Sequence, residues 1–264
     1  MNEAPAVPSE ARFGALRPLH GQAANSAKIR GMGSPPSTVA ENVAAIQERV
    51  EQAARRAGRK ASDVTIVGVS KTFPAERIRE AFDSGIRHFG ESRVQEWESK
   101  APVVEGLAAT WHLVGHLQRN KAARAINLFH TIDSLDSLPL AEKLHKAAGD
   151  GRRLPVLVEV RLDPTVTKTG CDPTELSRLV EGVLLLPRLE LRGLMTVPEL
   201  TADPRQARPV FRRLREIRDT VSRQLNCPLP ELSMGMSGDF DVAIEEGATQ
   251  IRIGTALFGA RHTK

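Results

Sequence analysis

The sequence predicts an α/β protein, a single (β/α)8 TIM-type barrel with an N-terminal helix and a disordered N-terminal tail. Three observations predict it. Eight short runs rich in apolar and β-branched residues alternate with helix-like segments at roughly equal spacing, the pattern of parallel strands joined by helical crossovers. The chain has 264 residues, which suits one large barrel and a substantial core. No glycine-rich dinucleotide fingerprint is present, which disfavours the alternative, a doubly wound open sheet.

Residues 1–36 are rich in Ala, Pro, Gly and Ser and show no helical or strand period, so they read as a disordered tail. The tail lacks the apolar core of a secretory signal. Its arginines faintly resemble a transit peptide without an amphipathic face, and Met32 is an alternative start. Residues 37–264 make the barrel domain. Ser37 and Thr38 can cap a helix from Val39 to about Ala57, with Val43, Ile46 and Val50 at helical spacing and Gly58 as its stop. The first strand follows in the stretch Asp63–Ile78. Val64, Ile66, Val67 and Val69 form a nearly continuous apolar run, as in a parallel strand covered on both faces. Thr72 and Pro74 then open a helix containing Ile78 and Ala81, which Gly85 stops.

The remaining units repeat this alternation. Arg87–Gly90 is a short second strand, followed by a helix through Val94 and Trp97. Strand three is Trp111–Gly115 with a helix Gln118–Ile126, and strand four is Leu128–Ile132 with a helix Leu138–Ala148. Strand five is Pro155–Leu162 with a helix Pro173–Val183, and strand six is Leu189–Val197 with a helix Ala207–Gln224. Strand seven is Glu231–Ser233 with a helix Phe240–Glu246, and Thr249–Ile253 is the eighth. The helix before strand one packs on the outside of the barrel or covers its bottom. No second domain follows strand eight.

Composition limits the function classes. The net charge is +5, but the basic residues are spread over helices, and two Trp with no Tyr leave few aromatic platforms. A nucleic-acid partner is therefore disfavoured, while an anionic small ligand fits the charge. No apolar run reaches membrane-span length, so no membrane partner is expected. Cys171 and Cys227 lack metal-ligand spacing and suggest no disulfide framework, and a reducing cytoplasm is the default location.

The chemistry-bearing residues sit where strands end. Lys71 lies at the carboxyl end of strand one, in alternation with Thr65, Val67 and Val69. Barrels keep their chemistry at that end. Desolvation there favours the neutral amine, which attacks aldehydes to form Schiff bases. The bland alternative is a solvated lysine past a strand. The loops after strands seven and eight, Met234–Asp239 and Gly254–Ala256, contain glycines and the hydroxyls of Ser237 and Thr255. They can form a phosphate cup or simply be capped glycine turns. Arg252 alternates with Ile251 and Ile253, so inside a barrel its guanidinium needs a partner, either a salt bridge such as one to Glu159 or a ligand heteroatom. His112 and His116 are too far apart along a strand for joint metal ligation and read as hydrogen-bonded histidines of the barrel mouth. Glu91 points at the mouth or serves as a helix N-terminal acid.

Six motifs in order carry a resemblance. They are Ser70-Lys71-Thr72, His88-Phe89-Gly90-Glu91, Trp111-His112 with Gly115-His116-Leu117-Gln118, Arg192–Thr196, Leu232–Ser237 and Arg252-Ile253-Gly254-Thr255. Together they resemble the pyridoxal phosphate homeostasis protein family, relatives of the N-terminal domain of alanine racemase, from about Ser37 to Arg261. The resemblance implies one barrel carrying pyridoxal 5′-phosphate (PLP) as a Schiff base on Lys71. It implies phosphate contacts from Ser237, Gly254 and Thr255, with Arg252 near the pyridine nitrogen. It implies a handler of vitamin B6 without an established catalytic reaction. The expected partners are PLP and PLP-requiring apo-enzymes, and the expected state is a monomer. Two departures stand out. Ser92-Arg93 replaces the family's usual Asn-Tyr, and Gly238-Asp239 replaces a usual Asp-Asp. Two other classes compete. A racemase-like PLP enzyme is disfavoured because two-base racemisation resembles a lysine–tyrosine pair and this chain has no tyrosine. A cofactor-free Schiff-base aldolase is separated by colour, since bound PLP is yellow.

Overall fold

The computed structural model describes residues 37–151, 153–163, 169–199 and 201–260. The expected tail, residues 1–36, lies outside them. The barrel is built from β1 (Thr65–Val69), α2 (Ala75–Asp83), β2 (His88–Glu91), α3 (Val94–Lys100), β3 (Thr110–Leu113), α4 (Ala122–Leu128), β4 (Thr131–Leu135) and α5 (Leu138–Ala147). It continues with β5 (Leu154–Glu159), α6 (Leu176–Leu184), β6 (Leu189–Met195), α7 (Arg208–Gln224), β7 (Glu231–Met236), α8 (Phe240–Glu245), β8 (Gln250–Ile253) and α9 (Thr255–Phe258). The strands are parallel and close in sequence order, with β8 returning to pair with β1. The predicted barrel is therefore the observed one.

The helix before the barrel, α1 (Val39–Arg56), starts as its sequence dictates. Thr38 Oγ1 accepts the Glu41 N–H at 3.2 Å, and the Glu41 carboxylate accepts the Thr38 N–H at 2.8 Å, a capping box. Its Val39, Val43, Ile46, Val50, Ala53 and Ala54 stripe is buried. It packs against α8, α9 and α2, so it covers the outside of the barrel and not its bottom. Gly58, at φ +66°, ends the segment in the left-handed conformation that glycine adopts without strain.

Two layers of side chains divide the barrel. Outward residues join one apolar core with the helices, including Phe89, Leu113, Ile132, Val156, Leu194, Leu232 and Ile251. Inward residues follow from the register. Val67 stands opposite both His88 and Arg252, and His112 opposite both Gly90 and Thr131. The lumen is consequently polar in its middle, with His112, Asp133, Glu159, Ser233, Gln250 and Arg252 all buried.

Strand four is displaced from its predicted place. The expected strand Leu128–Ile132 is observed as Thr131–Leu135, and Leu128 ends α4. The apolar pair Leu128-Phe129 mimics a strand start, whereas the true strand runs on through Asp133 and Ser134. Those polar residues are hydrogen-bonded in the lumen or to the neighbouring strand, so burial costs them little. Strand seven also extends past Ser233 to Met236, and β5 stops at Glu159, short of Leu162.

Candidate functional site

Lys71 is reached by following β1 outward. Val69 and Ser70 are buried, and the Ser70 N–H donates to the Gly90 carbonyl at 3.0 Å. The chain then turns sharply, with the Phe73 N–H donating back to the Ser70 carbonyl at 3.0 Å. Lys71 occupies this turn and is half-buried. Thr72 follows at φ +69°, a left-handed conformation that is rare for a β-branched residue. Pro74 is the residue before α2 rather than inside its first turn. Lys71 thus stands at the carboxyl-terminal face of the barrel, as its place in the sequence predicts.

Beside it, the loops after β7 and β8 meet. Ser237 Oγ accepts the backbone N–H of Gly254 and that of Ala256, each at 3.2 Å. Gly254 follows the β8 residue that pairs with Gly68, so it sits across from Val69. A Cβ added to Gly254 would lie 3.5 Å from the Val69 carbonyl oxygen. The β7 loop is fixed by the Met236 N–H donating to Asp239 Oδ1 at 2.6 Å, and by Gly235 at φ +92°. A Cβ on Gly235 would approach the Ala243 Cβ to 2.6 Å, so no other residue fits there. Thr255 is exposed as the first residue of α9. Two backbone N–H groups therefore point at the Ser237 hydroxyl oxygen, and N–H groups gathered in this way at glycine loops are donors that could turn to a phosphate oxygen. Gly238, where a Cβ would meet nothing within 4 Å, leaves that side of the loop open.

Arg252 is buried, and its partners differ from the expected salt bridge. Among the described residues Glu159 is not within ion-pair distance of it. Instead Nη1 donates to Ser233 Oγ and Nη2 to the Thr196 carbonyl, both at 2.8 Å. Burial pulls the guanidinium pKa down, opposed by the nearby charges of Asp133, Glu159 and Asp239. Burial also raises the carboxyl groups of Glu159 and Asp239.

Sequence reasoning misses the network below Arg252. Gln250 Nε2 donates to Ser233 Oγ at 2.9 Å and to Asp133 Oδ2 at 2.6 Å. Asp133 Oδ2 lies 2.9 Å from His112 Nδ1, and the Thr131 hydroxyl donates to Oδ1 at 2.8 Å. Burial opposes ionisation of Asp133, but His112, Thr131 and Gln250 outweigh it and hold its carboxyl below the usual range. The alternation that puts Arg252 inside also puts Gln250 inside, so that part is open to reading. Asp133 is not, because the apolar pattern places strand four too early.

His112 corrects the expectation of a barrel-mouth histidine. Its Nε2 lies 3.0 Å from His88 Nδ1, and both rings line a cavity of about 320 Å³ at the amino-terminal end, with Thr65, Thr110 and Thr131. His116 does lie beyond β3, its Nδ1 3.0 Å from Asp136. Burial, and then the neighbouring His112, push the His88 pKa down to about 4, with Asp133 opposing. Between pH about 6.5 and 4 the unfolded chain therefore binds a proton at His88 that the folded chain refuses. That contribution to stability is present above pH 6.5 and lost as the pH falls. We expect the melting temperature of the wild type to fall more steeply over that window than that of His88→Asn. Parallel curves would show that His88 titrates alike in both states.

The family of the alanine racemase N-terminal domain matches residues 42–262. The chain is 44% identical over 222 residues to the pyridoxal phosphate homeostasis protein of Aquifex aeolicus, covering 84% of this chain and 97% of that one. It is 43% identical over 226 residues to the protein of that name from Pseudomonas aeruginosa, covering 85% and 96%. The solved structure of PipY from Synechococcus elongatus with PLP bound is similar at 38% identity and a TM-score of 0.75, covering 84% of this chain and 100% of that one.

Proposed function

The chain belongs to the pyridoxal phosphate homeostasis protein family, whose barrel is that of the alanine racemase N-terminal domain, and from that membership we propose that it binds PLP and acts in vitamin B6 homeostasis as a carrier or regulator. The observation that carries the reading is the convergence of Ser237 Oγ, Gly254 N–H and Ala256 N–H beside the strand-end Lys71.

In this reading Lys71 would hold PLP, its amine condensing with the aldehyde with loss of water. Ser237, Gly254 and Thr255 hold the phosphate. Arg252, which has N–H donors beyond those used by Ser233 and Thr196, would serve the pyridine nitrogen. PLP acts as a strong electron sink when that nitrogen is protonated. A guanidinium does not give up a proton at neutral pH, and its charge disfavours a second positive charge beside it. The bound group is then a weaker electron sink, which Arg252 alone does not turn into an argument against a racemase, since alanine racemase resembles this arrangement too. The absence of tyrosine from the chain carries that part, since a second acid–base group of that kind is missing. The protein is a cytoplasmic monomer in this reading, and it hands PLP to PLP-requiring apo-enzymes. Among the described residues, no helix is long and apolar enough to cross a membrane.

The PLP-loaded protein should show no detectable loss of α-deuterium from a panel of amino acids and should release PLP to an added apo-enzyme. Exchange at about 1 s⁻¹ or faster, an ordinary enzyme's rate, would replace the carrier with a racemase-like enzyme. The phosphate cup has its own test. Replacing both Ser237 and Thr255 with Ala should weaken PLP by roughly 100- to 10,000-fold, from about 1.5–3 kcal/mol for each hydroxyl donor to a charged group. Pyridoxal, which has no phosphate, should weaken far less. Equal losses for both ligands would place the cup elsewhere.

A further inference from the structure

Behind the Lys71 turn stands a chain of charged groups that the PLP contacts do not use. Glu91, the last residue of β2, is fully buried, and its Oε1 accepts from Ser70 Oγ at 2.8 Å and from Lys100 Nζ at 3.0 Å. Lys100 ends α3 with its side chain only 11% exposed. It also donates to the Ser70 carbonyl at 2.9 Å and to Glu96 Oε1 at 2.6 Å. Glu96 closes the circuit, because the same Oε1 accepts the backbone N–H of Thr72 at 2.5 Å. The residues on both sides of Lys71 are thus held by one assembly, Ser70 through its hydroxyl and carbonyl and Thr72 through its N–H.

Thr72 is where this grip matters. A threonine at φ +69° keeps a conformation that its own side chain disfavours, and such a conformation persists only when the surroundings impose it. The Thr72 N–H is the handle, and Glu96 is the group that holds it. Glu96 lies on α3, one helical turn before Lys100, so the i, i+4 spacing of one helix fixes the carboxylate against the ammonium. Burial opposes the Glu96 charge, but Lys100 and the Thr72 N–H overcome it and keep its carboxyl below the usual range.

We propose that Glu96 is a positioning residue for Lys71: held by Lys100, its carboxylate pins the Thr72 N–H, keeps Thr72 left-handed and so sets the direction in which the Lys71 side chain leaves β1. This rests on the reading that Lys71 is the residue bonded to PLP. Glu96 touches neither the amine nor the ligand in this scheme and acts through the backbone. A carboxylate is not required, only an acceptor at that point.

The test compares two ligands in the wild type and four variants. PLP reports the bond to Lys71, whereas pyridoxamine 5′-phosphate keeps the ring and phosphate and has an amine where the aldehyde was, so it cannot form that bond. Borohydride reduction and peptide mapping of the wild type come first. A pyridoxyl label on Lys71 secures the premise, and a label elsewhere overturns both the binding reading and this inference. Given that label, Glu96→Ala should weaken PLP by about tenfold, the scale of one charge-assisted hydrogen bond, with pyridoxamine 5′-phosphate unchanged within about twofold. Glu96→Gln, whose amide oxygen still accepts, should restore PLP binding to within about twofold of the wild type. Thr72→Gly supplies an independent variant. Glycine takes φ +69° without strain, so adding Glu96→Ala in that background should cost clearly less than in the wild type. Equal weakening of both ligands by Glu96→Ala, no weakening of either, or the same cost in the Thr72→Gly background would overturn the proposal.

Discussion

Lys71→Ala should leave the protein folded and remove its covalent hold on PLP. The yellow colour of the PLP-loaded protein disappears, and borohydride reduction followed by peptide mapping finds no pyridoxyl group. Lys71 is half-buried in a turn whose backbone hydrogen bonds run through Ser70, Thr72 and Phe73. Truncating it removes little packing, and the melting temperature of the free protein should stay within about 2 °C, the range of an ordinary surface change. Ligand stabilisation should change far more. A ligand at a hundred times its Kd stabilises the fold by about 2.7 kcal/mol, and a hundredfold weaker PLP would forfeit most of that. The decisive comparison is PLP-dependent melting in wild type and variant. A variant that still gains its full shift, or a label that persists on Lys121, would show that the amine lies elsewhere.

Arg252→Met should be costly in the opposite way, through the fold itself. The guanidinium is a buried cation in a lumen that also holds Asp133, Glu159 and Asp239, all buried. Removing it strips a donor from Ser233 Oγ and from the Thr196 carbonyl and takes away the positive charge that interacts with Asp133, Glu159 and Asp239. Losing the two hydrogen bonds of a buried charged donor costs about 3–5 kcal/mol, at roughly 1.5–3 kcal/mol each. For a barrel of this size that is a fall of roughly 6–20 °C in melting temperature. Arg252→Lys keeps the charge but not the planar fork and should fall between. A drop of less than about 2 °C for Arg252→Met would mean that the lumen carboxylates are neutral and need no cation. With Lys71→Ala the pair separates ligand chemistry from scaffold, since one variant loses binding at constant stability and the other loses stability first.

Several site features are legible in the residue order alone. Lys71 stands out because an apolar β-branched run ends on it and a helix opens just after. Gly254 and Ser237 stand out because they follow short strands in loops with little else to do. Arg252 stands out because a charge between two isoleucines in a strand must face an interior. Each signal is local, a matter of alternation, turn chemistry and position at a strand end.

Whatever depends on how distant strands meet is not legible in that way. The start of β4 is misplaced by its apolar pattern, because Asp133 and Ser134 look unlike a strand until their partners are known. Asp133 is satisfied by Gln250, which lies 117 positions away in sequence. His112 reads as facing the mouth, whereas its stagger against β2 and β4 puts it at the other end beside His88. The Glu96 clamp is invisible in the sequence because it joins a helix surface to a backbone N–H in a different loop.

The sequence by itself therefore determined the closed barrel, the strand-end place of Lys71 and the glycine loops beside it, because hydrophobic period and turn residues act within a few positions of chain. Only the tertiary structure decided which way His112 faces, what satisfies Arg252 and what grips the Lys71 turn. Those outcomes turn on the register with which eight strands close, and a shift of one residue in any strand would move every side chain on it to the opposite face.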